Sequence, residues 1–385
     1  MRDVAASVLL EVFMKRKLQI TSLISKTAAD IGLTALRDIV SDQIAIDMGS
    51  SSTRIWVSGR GIVVDEPSAI AVETTTGEVL AVGLEAQNML GREARNITVT
   101  APMKKGVVED FERTSEMLTQ LIRKARRGHS HFSRRALISV PSGMSQVEQR
   151  ALLDVAEHAR IGRVWMIEEG LASALGAGIK LTDSGVAAIV DIGGGVTNVA
   201  VVLRGAIIHS RGGRIGSSDI NLALNDYIRR NRSLSIGPLS TERLKLTLAS
   251  ATPPSDSAAE TSVEGRDVQT GQPRAIKVTA AEIYPVVSVV VERIFDIVRQ
   301  ALSELSPDVD ADIYDRGIIV TGGGALLSGV ESCLMNLTGI PVRTAEEPQY
   351  ATLRGLAQML EEPLTLRRSI RGTANQLMWA GSGTL

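Results

Sequence analysis

Two distant segments of this chain repeat one plan, in which an apolar strand ends at an aspartate and leads into a glycine-rich turn. Residues 44–53 contain Asp47, and residues 188–197 contain Asp191. Because glycine has no Cβ, such turns let backbone N–H groups approach a phosphate closely. An aspartate at the strand end can hold a hydrated divalent ion that neutralises the phosphate. The repetition therefore predicts two similar halves that face one nucleotide.

A third glycine turn, residues 322–324, follows the apolar run 317–321 and leads into a helical pattern. A single turn of this kind is more often a tight hairpin than a phosphate site. Three of them in matching context favour phosphate binding. No segment fits the G-x-x-x-x-G-K-[ST] motif, so we expect backbone groups and hydroxyls, rather than a lysine, to hold the phosphate.

The composition indicates a globular protein large enough for two domains. The chain has 385 residues, of which 44% are hydrophobic and 22% charged. A net charge of −1 argues against a nucleic-acid partner. No apolar run reaches the length of about 18 residues that a membrane-spanning helix needs.

Cysteine and histidine usage predicts neither a disulfide nor a transition-metal site. Cys333 is the single cysteine, which excludes an intrachain disulfide and fits a reducing cytoplasm. The histidines do not have the spacing of zinc ligands; they are His129, His131, His158 and His209.

The periodicities divide the chain into four parts. These are an N-terminal extension (1–42), a first half (43–186, with a small inserted subdomain at about 68–104), a second half (187–362, with an insert at about 217–280) and a C-terminal tail (363–385). Each half is predicted to follow the order βββαβα. We therefore expect an α/β protein with a cleft between two similar halves.

The N-terminal extension has an apolar cluster followed by three basic residues, Lys15, Arg16 and Lys17. A helix of this composition can lie on an anionic membrane surface. The segment is equally compatible with a loosely packed tail or with an upstream translation start. Glu11 and Lys15 interrupt the apolar region, so a secretory signal is not predicted.

At its glycine turns the sequence resembles the bacterial rod-shape MreB family, which belongs to the actin–Hsp70–sugar-kinase superfamily. The resemblance covers about residues 43–362 in order. It also rests on segments that are more particular to MreB proteins, namely residues 59–68, 102–107, 140–143, 167–169, 265–274 and 315–318. The resemblance implies a duplicated actin-like ATPase fold, with two RNase H-like halves and the nucleotide in the cleft.

The resemblance also implies roles for individual residues. Asp47 and Asp191 would hold Mg²⁺ through water, and Glu169 matches the glutamate that orients the attacking water. The residues expected to bind ATP are Gly49, Ser50, Ser51, Ser52, Gly193, Gly194, Gly195, Val196, Thr197, Glu242, Lys245, Gly322, Gly323 and Gly324. Without the resemblance, Glu169 would be an acid at a helix N-terminus, and Glu242 with Lys245 a solvent-facing ion pair.

Four places depart from the usual family pattern. Val196 replaces a threonine, Gly170 replaces a proline, residues 217–221 have fewer acidic groups than the family's Gly-Asp-Glu-Met-Asp, and Ser50–Ser52 replace Thr-Ala-Asn. The aspartates and glycines remain, so nucleotide binding is expected. Rapid hydrolysis is less secure, although eukaryotic actin also has valine at the position that matches Val196. We expect a slow ATPase whose turnover is coupled to polymerisation.

The function implied by the resemblance is that of an ATP-dependent cytoskeletal filament in the bacterial cytoplasm. MreB-like filaments lie on the inner membrane, determine cell shape and guide cell-wall synthesis. The expected partners are therefore other copies of this chain, the lipid surface, and membrane proteins of cell shape and wall synthesis. Phe132 falls where the family has a membrane-inserting loop. With one aromatic residue this loop is weak and would need the N-terminal segment as a second anchor.

Two alternative functions remain open at this point. The first is a non-polymerising actin-fold ATPase, such as a sugar kinase or an Hsp70-type chaperone. The second is a hydrolysis-poor MreB paralogue that assembles with an active partner, which Val196 and Gly170 suggest.

Overall fold

The computed structural model describes residues 43–126, 135–180 and 182–362. The expectations for residues 1–42, for Phe132 and for residues 363–385 lie outside these ranges. The strands are β1 (Gln43–Met48), β2 (Ser52–Val57), β3 (Gly61–Pro67), β4 (Ile70–Glu73), β5 (Val79–Val82), β6 (Ile97–Thr100), β7 (Met103–Lys104), β8 (Val107–Val108), β9 (Arg135–Val140), β10 (Arg163–Glu168), β11 (Ala187–Ile192), β12 (Thr197–Leu203), β13 (Ala206–Gly213), β14 (Leu234–Ser235), β15 (Glu260–Asp267), β16 (Pro273–Thr279), β17 (Ile318–Thr321) and β18 (Val342–Thr344).

The helices alternate with these strands. They are α1 (Leu84–Met89), α2 (Phe111–Ala125), α3 (Gln146–His158), α4 (Glu169–Gly176), α5 (Ser217–Arg232), α6 (Pro238–Leu248), α7 (Ala280–Ser303), α8 (Pro307–Arg316), α9 (Val330–Thr338) and α10 (Ala351–Glu361). Within the described ranges, no helix combines the length and the hydrophobicity needed to cross a bilayer.

The two five-stranded sheets have the same topology. Their strand orders are β3-β2-β1-β9-β10 and β13-β12-β11-β17-β18. In each sheet the first three strands are antiparallel and the last two run parallel to the central strand. The predicted duplication is confirmed. Each half also closes with one strand and one helix beyond the predicted βββαβα order, which are β10 with α4 and β18 with α10.

The central strands are apolar because both of their faces are covered. Ile44, Ala45 and Ile46 of β1 are fully buried, and all six residues of β11 are buried. Continuous apolar runs of this kind are typical of strands that lie between two layers of helix. In each strand the aspartate that the sequence singled out is the second-last residue.

Helices α4 and α10 lie between the two halves and pack directly against each other. A Cβ at Gly176 would lie 1.8 Å from the Ala351 carbonyl oxygen, and a Cβ at Gly355 would lie 1.8 Å from the Ala172 carbonyl oxygen. The helices therefore meet backbone to backbone, and only glycine fits at these two positions. A hydrophobic cluster shared by both halves surrounds them and includes Leu137, Ile167, Leu171, Ile189, Leu353 and Leu356. This contact fixes the helix that begins at Glu169.

Each half carries a small additional sheet. The sheet β5-β4-β6, with α1 beside it, lies within residues 68–104. The sheet β14-β15-β16, with α6 beside it, lies within residues 217–280. Both small sheets are separate from the two five-stranded sheets, whose strand orders they do not interrupt.

Candidate nucleotide-binding site

The two glycine turns have equivalent backbones. The Gly49 N–H donates to the Ser52 carbonyl at 2.9 Å, and the Gly193 N–H donates to the Val196 carbonyl at 2.8 Å. In the first hairpin Arg54 lies opposite Asp47, and in the second Asn198 lies opposite Asp191. Each hairpin thus presents one carboxylate and one cross-strand partner at the same corner.

The structure brings the two turns together across the cleft. The Ser51 hydroxyl lies 3.1 Å from the Ser218 hydroxyl, and the Gly106 N–H donates to the Ser50 hydroxyl at 2.9 Å. A Cβ at Gly194 would lie 2.0 Å from Ser51 Oγ, so glycine permits this approach. Hydroxyls from one turn and backbone groups from the other therefore converge on one place.

Three further predicted residues lie at the edges of this contact. A Cβ at Gly195 would lie 2.9 Å from Ser50 Oγ, which places Gly195 on the same side as Gly194. The Thr197 hydroxyl donates its hydrogen bond to the Ile215 carbonyl at 2.9 Å, which is a contact within the second half. Ser52 begins β2.

Asp47 is half-buried and has two partners. The Ser139 hydroxyl donates to its Oδ1 at 2.9 Å, and Arg54 Nη1 lies 3.5 Å from its Oδ2. Burial raises the pKa of Asp47, and the positive charge of Arg54 opposes that rise. The first hairpin therefore supplies part of the counter-charge for its own carboxylate.

Asp191 is more deeply buried, with 5% of its surface exposed. The Thr321 hydroxyl donates to its Oδ1 at 2.8 Å. Burial raises the pKa of Asp191 to about 6, while the Thr321 hydrogen bond favours the ionised form. An added cation would favour the ionised form of Asp191.

Glu169 is the first residue of α4 and lies close to both aspartates. Burial raises the pKa of Glu169 well above its ordinary value, and the charges of Asp191 and Asp47 raise it further. The Asn198 amide opposes this by donating to Glu169 Oε2 at 2.5 Å. Asn198 is held in turn by the Ser142 N–H, which donates to its Oδ1 at 3.0 Å.

The sequence analysis missed Asn198 as a site residue. The signal was present, because Asn198 follows Thr197 as Arg54 follows Thr53, one residue after each turn threonine. Treating the hairpins as equivalent would have placed both side chains opposite an aspartate.

The residues present fit a hydrated divalent cation between the two halves. The charges of Asp47 and Asp191 raise the pKa of Glu169, and the charge of Asp47 raises that of Asp191, so a cation would relieve this repulsion. Within the described part of the chain, no group of three or more His, Cys, Asp or Glu side chains could hold a metal ion. An ion between Asp47 and Asp191 would therefore be held through water, which Mg²⁺ retains readily.

Glu242 and Lys245 form an ion pair on α6, with Lys245 Nζ 2.9 Å from Glu242 Oε2. Asn221 of α5 also donates its amide to Glu242. The other end of that amide, Asn221 Oδ1, is buried and has no hydrogen-bond partner among the described residues. A donor from a bound nucleoside would satisfy this atom, so the buried acceptor fits the predicted ligand.

The third glycine turn lies against the second. Gly322 has a φ of 81°, and a Cβ there would lie 2.4 Å from the Ile192 carbonyl oxygen and 2.9 Å from Asp191 Oδ1. Gly324 packs on Ile192, while a Cβ at Gly323 would meet open space. The turn opens a short 3₁₀ helix (Gly323–Leu326), and the predicted α-helix follows as α9.

Two departures from the family pattern have a visible packing context. Val196 is 8% exposed and lies against the first half, where a Cβ at Gly106 would be 2.7 Å from its Cγ2. A Cβ at Gly170 would lie 2.3 Å from the Ala200 Cβ, so the first turn of α4 packs tightly on β12. Gly170 therefore serves the packing of the helix that carries Glu169.

The sequence profile of the MreB/Mbl protein family matches residues 41–368. The chain belongs to the MreB/Mbl family. It is 39% identical over 337 residues to the cell shape-determining protein MreB of Escherichia coli strain K12, covering 86% of this chain and 96% of that protein. It is 37% identical over 318 residues to the cell shape-determining protein Mbl of Bacillus subtilis strain 168, covering 83% of this chain and 95% of that protein.

Three solved structures that are similar to this chain have the same fold. MreB5 of Spiroplasma citri bound to ADP has a TM-score of 0.79 at 28% identity, covering 85% of this chain and 98% of that one. MreB5 bound to AMPPNP has a TM-score of 0.78 at 27% identity, covering 86% and 98%. The MamK double helical filament, at 21% identity and a TM-score of 0.68 over 84% and 99%, shows the fold alone. The predicted duplicated actin-like fold is confirmed.

Proposed function

We propose that this MreB/Mbl chain is an ATP-dependent cytoskeletal filament protein that determines bacterial cell shape. The observation that carries the proposal is the convergence of two equivalent aspartate turns with Glu169 between the halves. Two relatives are named cell shape-determining proteins, and MreB5 was solved with ADP and with AMPPNP. ATP and Mg²⁺ are the proposed ligands.

The geometry supports ATP hydrolysis by positioning and charge. Backbone N–H groups and the Ser50 and Ser51 hydroxyls would hold the phosphates, and bound Mg²⁺ would neutralise phosphate charge near Asp47 and Asp191. Glu169 would orient the attacking water and accept its proton, because its environment raises its pKa. Asn198 would hold the carboxylate of Glu169 in one orientation.

Contacts across the cleft would couple the nucleotide to the shape of the subunit. Lys105 Nζ lies 3.5 Å from Asp219, and Arg214 bridges Glu148 at 2.5 Å. A phosphate between the turns would change these contacts and the angle between the halves. Subunits joined head to tail through a contact that does not close into a ring form a filament, so other copies of this chain are the proposed partners.

We also propose that the filament lies on the inner face of the cytoplasmic membrane and guides wall synthesis together with membrane proteins of cell shape. This part rests on membership of the MreB/Mbl family and on the composition of residues 1–42 and Phe132. These residues lie outside the described ranges.

Electron microscopy of purified protein on lipid layers tests the proposal. We expect filaments with Mg-ATP on anionic lipid, and loss of lipid binding when deletion of residues 1–42 is combined with Phe132→Ser. The rate of phosphate release per subunit should increase with protein concentration, because assembly drives turnover. A protein that stays monomeric and whose turnover depends on a sugar would instead be an actin-fold kinase, and the filament proposal would be wrong.

A second candidate is a hydrolysis-poor member that assembles with an active partner. Val196 favours it, because its packed side chain cannot donate the hydrogen bond that a threonine would give. One such bond is worth about 1–3 kcal/mol, or roughly 5- to 150-fold in rate. We therefore expect Val196→Thr to raise single-turnover phosphate release at least about 5-fold at matched filament mass. An unchanged rate would remove the argument for this candidate.

A further inference from the structure

A cavity of about 260 Å³ lies in the first half, where α2 and α3 end. Its polar lining consists of Arg123, Arg126, Arg160, His158, Glu116 and Thr119. None of these residues belongs to the candidate nucleotide site. Three arginines from two different helix ends thus surround one open cavity.

The charged side chains that line this cavity are mostly basic. Three arginines against one glutamate leave a formal surplus of two positive charges. Glu116 accepts a hydrogen bond from Gln120 of its own helix at 3.0 Å. Each of the two helix C-termini carries about half a negative charge, which offsets about one of the two surplus charges. The side chains that line the cavity therefore carry a positive formal charge.

Two of the arginines have no partner within the described residues. Neither the Arg123 nor the Arg160 guanidinium makes a hydrogen bond or an ion pair there, and both side chains are exposed. By contrast, Arg150 of α3 pairs with Asp154 at 2.8 Å. Free guanidinium groups next to a cavity are available to a ligand.

Arg160 also occupies a backbone position that favours glycine. It follows the end of α3 with a φ of 61°, and the Ile161 N–H closes the helix by donating to the Ala156 carbonyl at 3.0 Å. Helix ends of this geometry usually have glycine at this place, because other residues are strained there. The chain keeps an arginine at the cavity despite this strain, which points to a use for the side chain.

Phosphate is the ligand group that this set of side chains fits. Planar guanidinium groups bind phosphate oxygens through paired hydrogen bonds, and arginine is favoured wherever such recognition occurs. His158 stands at the rim with its ring edge-on to Phe111, at a centroid distance of 6.4 Å. We propose that this cavity binds a phosphate group, carried either by an anionic lipid headgroup or by a soluble phosphate compound. The proposal does not depend on the function of the nucleotide cleft.

The test uses the full chain with Mg-ADP present, so that the cleft does not take up the probe. Binding of soluble pyrophosphate and of vesicles containing phosphatidylglycerol is measured for the parent, Arg123→Gln and Arg160→Gly. The matched control is Arg92→Gln, which removes an exposed arginine of the first half away from the cavity. Vesicles of phosphatidylcholine alone give the uncharged reference.

We expect each cavity variant to lose about 5-fold in affinity for the probe that binds, while Arg92→Gln stays at the parent's value. Arg160→Gly should unfold at or above the parent's temperature, because it relieves a strained backbone, so its loss of binding cannot come from unfolding. Loss with pyrophosphate identifies a soluble ligand, and loss with vesicles alone identifies a headgroup. Unchanged binding in both variants, or equal loss in Arg92→Gln, overturns the proposal.

Discussion

The two hairpins at the cleft have equivalent backbones, but the residue opposite the aspartate differs between them. In the first, Arg54 places a positive charge 3.5 Å from Asp47. In the second, Asn198 lies opposite Asp191 and donates its amide to Glu169. The two halves thus contain equivalent glycine turns that differ in the residue opposite the aspartate. The first hairpin balances its own charge, and the second positions the candidate catalytic residue.

Arg54 also links the first hairpin to the second half of the protein. Its Nε donates to Asp65 at 3.0 Å, its guanidinium lies 5.2 Å from the centre of the Tyr350 ring, and the Tyr350 hydroxyl donates to Asp65 at 2.8 Å. That hydrogen bond raises the pKa of Tyr350. Tyr350 immediately precedes α10, so the charge at the first turn is tied to the helix that packs on α4.

The largest expected effect is at Asp191, which has the neutral Asn198 rather than an arginine opposite it in its hairpin. We expect Asp191→Ala to weaken Mg-ATP binding about 1,000-fold or more, because the remaining charges lose the cation site between the halves. Equilibrium titration with a fluorescent ATP analogue measures this. Asp226→Ala, which removes an exposed aspartate, is the control. Undiminished affinity in Asp191→Ala would show that the second turn does not hold the metal.

The next prediction, at Glu169, separates ATP binding from ATP hydrolysis. We expect Glu169→Ala to slow single-turnover phosphate release at least about 100-fold, because the water loses its base. ATP affinity and assembly should stay close to those of the parent, since both aspartate turns remain. If the variant releases phosphate as fast as the parent, Glu169 is only an acid at a helix N-terminus.

Asn198→Leu tests the division of tasks between the hairpins. We expect a loss of about 10-fold in phosphate release, because Glu169 loses the amide that orients it. That hydrogen bond favours the ionised form of Glu169, so its removal raises the pKa of Glu169. The ionised fraction at a given pH then falls, and the acid limb of the rate profile moves to higher pH. Arg54→Leu, at the equivalent position, should leave this limb in place.

The smallest expected effect is on the Mg²⁺ concentration that ATP binding requires. We expect Arg54→Leu to lower the Mg²⁺ concentration for half-maximal ATP binding about 2- to 5-fold, because Asp47 loses a competing positive charge that is partly exposed. Asn198→Leu should not change this concentration. An unchanged or increased Mg²⁺ requirement in Arg54→Leu would contradict the role given to the first hairpin.

Local patterns in the sequence were sufficient for most of the fold. Strand runs, glycine turns and helical periodicity predicted the duplicated halves and both aspartate corners. They did not predict β18 and α10, because three strand residues give almost no periodic signal and the helix owes its place to packing on α4. The apolar periodicity that starts at Leu171 predicts a helix from that residue, but α4 begins at Glu169, which puts Glu169 inside its first turn.

The sequence pointed to the residues proposed to contact the nucleotide and the metal, but not to the residues that hold them in place. Asp47, Asp191 and the glycines have recognisable local patterns. The tasks of Arg54 and Asn198 depend on strand register and on what lies across the cleft, which a single sequence does not display. Likewise, the polar composition of residues 251–262 is typical of a loop, but residues 260–262 belong to β15 and pair with β16. Pairing partners, rather than propensities, decided these positions.

The most direct test of the account is an experimental structure of this protein with Mg-AMPPNP. The account predicts the metal between Asp47 and Asp191 with water in its shell, the phosphates between the two turns, and Asn198 still bonded to Glu169 beside the terminal phosphate. Arg54 should remain on Asp47 and Asp65. A metal held by one hairpin alone, or a nucleotide bound away from the glycine turns, would contradict the claim that the two unlike hairpins form a single site.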